Sequence, residues 1–64
     1  MSEIIKKRVM ESIGKEVKIF LHNNFRYAGK ITNADEKYIE IFDIRSNSYK
    51  LILYDEIKDI EVKE

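Results

Sequence analysis

The chain has 64 residues, with twelve basic and twelve acidic side chains, one histidine and no cysteine. The lack of cysteine excludes disulfides and thiolate metal sites, and the balanced charge argues against a protein that coats nucleic acid through bulk positive charge. So short a chain buries only about 60% of its unfolded surface, so we expect one domain over 1–64 that gains further burial by forming homo-oligomers.

No apolar run approaches the length of about 20 residues that crosses a bilayer, and the first residues do not form a signal peptide. We therefore expect a cytoplasmic protein without a membrane partner.

The N-terminal segment has a helical period, which predicts an amphipathic helix over residues 3–13. Ser2 can cap its N-terminus, and Gly14 is a natural C-terminal stop. The basic cluster KKR at 6–8 is most simply a solvated face, with phosphate contact as the alternative. The apolar residues that define the period are Ile5, Val9 and Ile13.

From Lys15 the period changes to two, which predicts a first strand with Val17, Ile19 and Leu21 on one face. Turn-forming residues then separate further strands. We predict the second strand at 25–33, the third at 37–44, the fourth at 49–54 and a short last strand around 60–62, with Ile57 in the core.

The fourth strand reads YKLILY and is apolar on both faces, so it needs cover on both sides. A neighbouring copy or the N-terminal helix could supply the second cover.

Gly29 lies inside the second strand, where a glycine usually marks a bend or the close approach of another backbone. Five short strands can curl into a partly open barrel if one of them bends sharply. The predicted fold is therefore mainly β: an N-terminal helix followed by a small, strongly bent five-stranded barrel of the SH3-like kind over about 15–63.

The stretch VKIFLHNNFRYAGKITNADEKYIEI, residues 17–41, resembles the first motif of the Sm-like family in its bacterial and archaeal Hfq-like form. Apolar residues alternate along the first strand, and a turn follows at Asn23 and Asn24. Gly29 lies in the bent second strand, and Asp35 comes after it. The helix before this stretch and the ILYDEIKDIEV ending also match the family's layout. The resemblance implies small barrels that assemble into rings of six or seven subunits around single-stranded RNA.

Two departures from the family pattern concern its uridine pocket. The position of the stacking aromatic or histidine holds Lys37, and its neighbour Tyr38 is predicted to point to the other face. The second motif of the family corresponds here to Leu53, Tyr54 and Asp55. We therefore expect this pocket to be degraded or absent, with Lys37 kept as a candidate phosphate contact.

The opposite face of Hfq-like proteins binds purine-rich RNA, and its positions match Phe20, Asn23, Phe25 and Arg26 here. An aromatic ring stacks on a base with about 1–3 kcal/mol, and an arginine adds phosphate attraction. The alternative is that Phe20 and Phe25 form a cross-strand pair that covers the barrel or contacts a neighbouring subunit.

For assembly, we expect the fourth strand to pair with residues near Ile57–Val62 of a neighbour and so close the ring. The alternative function is a structural or protein-interaction module of Sm-like fold that has lost RNA binding. The predicted interface residues are Tyr49, Leu51, Leu53, Tyr54, Ile60 and Val62.

Nothing in the sequence predicts catalysis, a cofactor, a metal or a small-molecule substrate. His22 lies in a predicted turn, and the acids at 55, 56 and 59 lack the glycine and ligand spacing of a calcium loop.

Overall fold

The computed structural model describes residues 3–63 and confirms the predicted order of a helix followed by five strands. Ser2, the predicted helix cap, lies outside the described residues. The strands agree with the predicted ranges to within a residue, except that the last begins at Ile57. The elements are α1 Glu3–Glu11, β1 Glu16–Leu21, β2 Arg26–Ala34, β3 Tyr38–Asp43, β4 Ser48–Leu53, a 3₁₀ turn η1 Tyr54–Glu56, and β5 Ile57–Val62.

Helix α1 ends at Glu11, two residues earlier than predicted. Gly14 has a φ of +87°, and its N–H donates to the carbonyl of Ile31 at 2.8 Å, so the backbone has already turned toward β2. Ile13 therefore leaves the helical stripe and is 42% exposed, whereas Val9 is fully buried. The apolar period identified the helix but not its end.

The strands form one antiparallel sheet in the order β4-β3-β2-β1-β5. At one mouth, η1 joins the two sides of the sheet: the Tyr54 N–H donates to the Lys37 carbonyl and the His22 N–H donates to the Glu56 carbonyl, each at 3.0 Å. Among residues 3–63, no ladder joins β4 to β5. The barrel is thus partly open, with β4 and β5 as its free edges.

All five strands contribute buried apolar side chains from the same face of the sheet. Only a nine-residue helix is available as a second layer, so the sheet must curl to enclose these side chains. Ile57 is buried, as predicted. The core consists of Val9, Val17, Ile19, Leu21, Ile31, Ile39, Ile41, Ile52, Tyr54, Ile57 and Ile60.

Gly29 lies where another backbone comes close, as predicted for a glycine inside a strand. A Cβ at this position would overlap the carbonyl oxygen of Phe42 on β3. Strand β2 pairs with β1 from Arg26 to Lys30 and with β3 from Gly29 onward, so both pairings overlap near the glycine. A register shift between residues 31 and 33 follows, which is the kind of irregularity that bends a strand.

Strand β4 has one covered face and one open face. Ile52 points into the core, but Tyr49, Leu51 and Leu53 are 64%, 66% and 47% exposed. Helix α1 therefore does not provide the second cover predicted for YKLILY. Within one subunit, the outer face of this edge strand is an apolar row.

Candidate nucleic-acid interface

Phe20 and Arg26 are direct cross-strand partners on β1 and β2. Both lie on the outer face of the sheet, because the alternating residues Ile19 and Leu21 point into the core. Phe20 is half-buried and Arg26 is exposed. An aromatic surface and a guanidinium thus lie side by side and face solvent.

The hairpin turn between β1 and β2 is built by its two asparagines. The side-chain oxygen of Asn23 accepts the Phe25 N–H at 3.0 Å, and Asn24 has a φ of 71°, in the left-handed region. Phe25 is 65% exposed at this turn. Asn23 therefore shapes the turn and leaves its amide nitrogen available, while Phe25 presents a second aromatic ring.

The alternative in which Phe20 and Phe25 form a cross-strand pair does not match the register. Phe20 lies opposite Arg26, whereas the carbonyl of Phe25 accepts the N–H of Leu21 at 2.8 Å. The two phenylalanines are offset by one position, so neither covers the other in the way that a directly opposed pair does.

Lys37 lies at the mouth that η1 closes, in the exposed turn between β2 and β3. The Asp35 carboxylate accepts the Glu36 N–H at 2.7 Å and so stabilises the turn. Tyr38 lies opposite Leu53 on the outer face, away from the core-facing Ile39. Lys37 is therefore exposed beside η1, while the ring of Tyr38 points to the outer face and that of Tyr54 is buried in the core.

Tyr54 fills the core next to this turn, with Lys6 of α1 5.8 Å from its ring centroid. Burial, followed by the Asp35 carboxylate, raises the pKa of the Tyr54 hydroxyl above its ordinary value of 10.0. Within residues 3–63 this hydroxyl has no hydrogen-bond partner.

Of the predicted interface residues, Tyr54 and Ile60 have core side chains, so only their backbone remains for contact with a neighbour.

A basic cleft of about 500 Å³, which was not predicted from the sequence, lies between β2 and the β3–β4 turn. Of its lining residues, Arg26 alone was predicted to contact RNA, and Arg45 falls between the predicted third and fourth strands. The cleft depends on where β3 separates from β2, which residue types do not encode. Its lining consists of Lys18, Arg26, Tyr27, Ala28, Asp43, Ile44 and Arg45.

Residues 3–63 contain neither a candidate metal cluster nor a helix that could cross a membrane. No group of three or more histidine, aspartate or glutamate side chains in this range is placed to hold a metal ion. The helix that the structure describes is too short to span a membrane.

The sequence matches no family model, and no curated protein matches it. The fold has a clear counterpart among solved structures: the crystal structure of the pleiotropic translational regulator Hfq superposes with a TM-score of 0.79 at 22% sequence identity. The match covers 95% of this chain and 92% of that chain. The helix and the bent five-stranded sheet therefore have the Sm-like fold of Hfq.

Proposed function

From the Sm-like fold that the chain shares with Hfq, we propose that it is an RNA-binding protein that assembles into a homo-oligomeric ring of six or seven subunits. The observation that carries the proposal is the pairing of Phe20 with Arg26 on the outer face. A ring repeats this small site once per subunit, so weak contacts with single bases add up along one strand of RNA. The protein acts by binding, with no catalytic step, and its predicted location is the cytoplasm.

The two free edges of the sheet support ring assembly. Strand β4 presents unpaired backbone groups and an apolar outer row, and β5 presents the opposite edge with the half-buried Val62. An exposed apolar edge strand is a template for pairing with another chain. Pairing of β4 with β5 of a neighbour uses both edges of every subunit and closes the ring.

The choice of RNA follows from the two sides of the barrel. The outer face offers the ring of Phe20 together with the guanidinium of Arg26, and the adjoining turn presents the exposed ring of Phe25. Such a group suits stacked purines. At the mouth that η1 closes, Lys37 offers a cation, but the neighbouring ring of Tyr38 points to the outer face. We therefore expect oligo(A) to bind more tightly than oligo(U).

Fluorescence anisotropy with labelled 12-nucleotide oligo(A) and oligo(U), at two salt concentrations, tests this proposal. Phe20→Ala and Arg26→Ala are each expected to weaken oligo(A) binding about tenfold, the effect of removing one stacked base or one charged hydrogen bond. Arg8→Ala is the matched control, because it removes an exposed arginine from α1. Equal affinities for all variants would remove the proposed face.

The second candidate is a ring or docking module of Sm-like fold that does not bind RNA. The net charge of zero and the sequence Leu53-Tyr54-Asp55 in the second motif favour it. Assembly into a ring, with no anisotropy change for either oligonucleotide, would support this candidate over the first.

A further inference from the structure

The basic cleft forms because β2 loses one of its two neighbours. The ladder between β2 and β3 stops at the pair of Gly29 and Asp43, whereas β2 stays paired with β1 as far as Arg26. Beyond that pair, β3 runs into its turn toward β4 and diverges from β2. The edge of β2 over residues 26–28 is left without a strand partner on this side.

Three cations line this cleft: Lys18 on β1, Arg26 on β2 and Arg45 in the β3–β4 turn. Within the described part of the chain, none of them forms an ion pair; Glu61 is the cross-strand neighbour of Lys18, but no salt bridge joins the two. Like charges gathered around a concavity raise the local positive potential and attract an anion.

The one carboxylate that lines the cleft is already engaged. Asp43 is buried, and its two oxygens accept the Arg45 N–H at 3.1 Å and the Ser46 hydroxyl at 3.0 Å. It fixes the turn and so holds the backbone of Arg45 at the rim of the cleft. The carboxylate stabilises the turn, while the guanidinium of Arg45 keeps its hydrogen-bonding capacity for a ligand.

The remaining walls are apolar or aromatic. Tyr27 is half-buried, Ala28 is exposed and Ile44 is 58% exposed. A volume of about 500 Å³ lies within the ~300–1,000 Å³ typical of small-ligand sites. The cleft thus combines apolar surface for a base or sugar with several cations for a phosphate.

We propose that the basic cleft binds one nucleotide of the RNA, with Arg45 contacting its phosphate. This inference rests on the proposed function and extends its binding face. Arg26 lines the cleft and also flanks Phe20, while Lys18 lies two residues before Phe20 on the same outer face. An RNA strand that stacks on Phe20 can therefore continue into the cleft, and the β3–β4 turn becomes part of the binding surface.

Arg45→Gln tests the cleft without touching the residues of the outer-face proposal. Its backbone N–H still donates to Asp43, so the turn is retained, and circular dichroism checks the fold. In anisotropy titrations with 12-nucleotide oligo(A), we expect the variant to bind about tenfold more weakly. The slope of log K against log salt should decrease in magnitude by about 0.7 for each RNA phosphate that the variant no longer neutralises. Arg8→Gln is the matched control and should change neither value.

The outcomes separate the two proposals. If wild type fails to bind oligo(A), both are wrong. If wild type binds and Arg45→Gln binds equally tightly with the same salt slope, only the cleft is overturned. Equal losses of affinity in Arg45→Gln and Arg8→Gln would indicate a general charge effect and would also overturn it. A loss of affinity with an unchanged salt slope would overturn the cleft proposal as well. That result is expected if the free edge of β2 accepts a peptide strand and the variant affects RNA binding only indirectly.

Discussion

The carbonyl oxygen of Phe42 occupies the space that a side chain at Gly29 would need. Strand β3 can approach β2 this closely only because residue 29 lacks a Cβ. Along β2, pairing with β3 begins at Gly29, and pairing with β1 ends one residue later at Lys30. The curvature that encloses the core and the separation that opens the basic cleft therefore both start beside one glycine.

Gly29→Ala should lower the free energy of unfolding by about 3 kcal/mol, because the added methyl group meets the backbone of Phe42, which cannot rotate away as a side chain can. Urea denaturation monitored by circular dichroism measures the change. Gly14→Ala adds the same methyl group where nothing lies within 4 Å, so its cost is limited to the positive φ, about 1–2 kcal/mol. A smaller loss of stability for Gly29→Ala than for Gly14→Ala would contradict this account of the close approach.

Asp43→Ala should destabilise the fold by about 2 kcal/mol, since it leaves the Arg45 N–H without its acceptor and a space at a buried position. Ser46→Ala removes only one of the two bonds to this carboxylate and should cost less than about 1 kcal/mol. Thermal or urea unfolding compares the two variants. Similar costs would mean that Asp43 does not organise the turn.

Tyr54→Phe should leave stability near neutral pH unchanged or raise it by about 1 kcal/mol, because the buried hydroxyl has no partner among residues 3–63. The raised pKa of Tyr54 means that the folded chain favours the neutral hydroxyl. The associated stability is fully present below pH 10 and is lost as the pH rises through the folded pKa.

Urea melts of wild type and Tyr54→Phe at about pH 8 and about pH 11 test this sign. Wild type should lose more stability than the variant between the two pH values. Parallel losses would show that Tyr54 ionises equally easily in the folded and unfolded chain.

Leu51→Lys should shift the oligomer toward smaller species by at least about tenfold in dissociation constant, because it puts a charge into the apolar row on β4. Ile4→Lys is matched in chemistry and exposure, at 69% against 66%, but lies on α1. Light scattering over a concentration series compares the two. Equal dissociation by both variants, or by neither, would remove β4 from the interface.

The fold was largely predictable because hydrophobic alternation fixes strands wherever one face is buried. Val17, Ile19 and Leu21 show this on β1, as do Ile39 and Ile41 on β3. Gly29 was informative in the same way. A glycine on the packed face of a strand indicates that another backbone lies where its side chain would be, and β3 lies there. These signals are local and survive in a sequence that is only 22% identical to that of Hfq.

Other features depend on tertiary geometry. The end of α1 is set by the bond between Gly14 and Ile31 on a distant strand, so periodicity carried it two residues too far. Tyr54 reads as the last residue of an apolar strand but begins a 3₁₀ turn that closes one mouth of the barrel. Arg45 lines the cleft only because β3 diverges from β2 there, which no sequence pattern shows.

Sedimentation velocity with fluorescently labelled oligo(A) follows ring assembly and RNA binding in one experiment. We predict that the label sediments with a species of six or seven times the 7.7 kDa mass of one subunit, and that unlabelled protein alone forms the same ring. A 7.7 kDa monomer at micromolar concentration, with all of the RNA sedimenting free, would contradict the account.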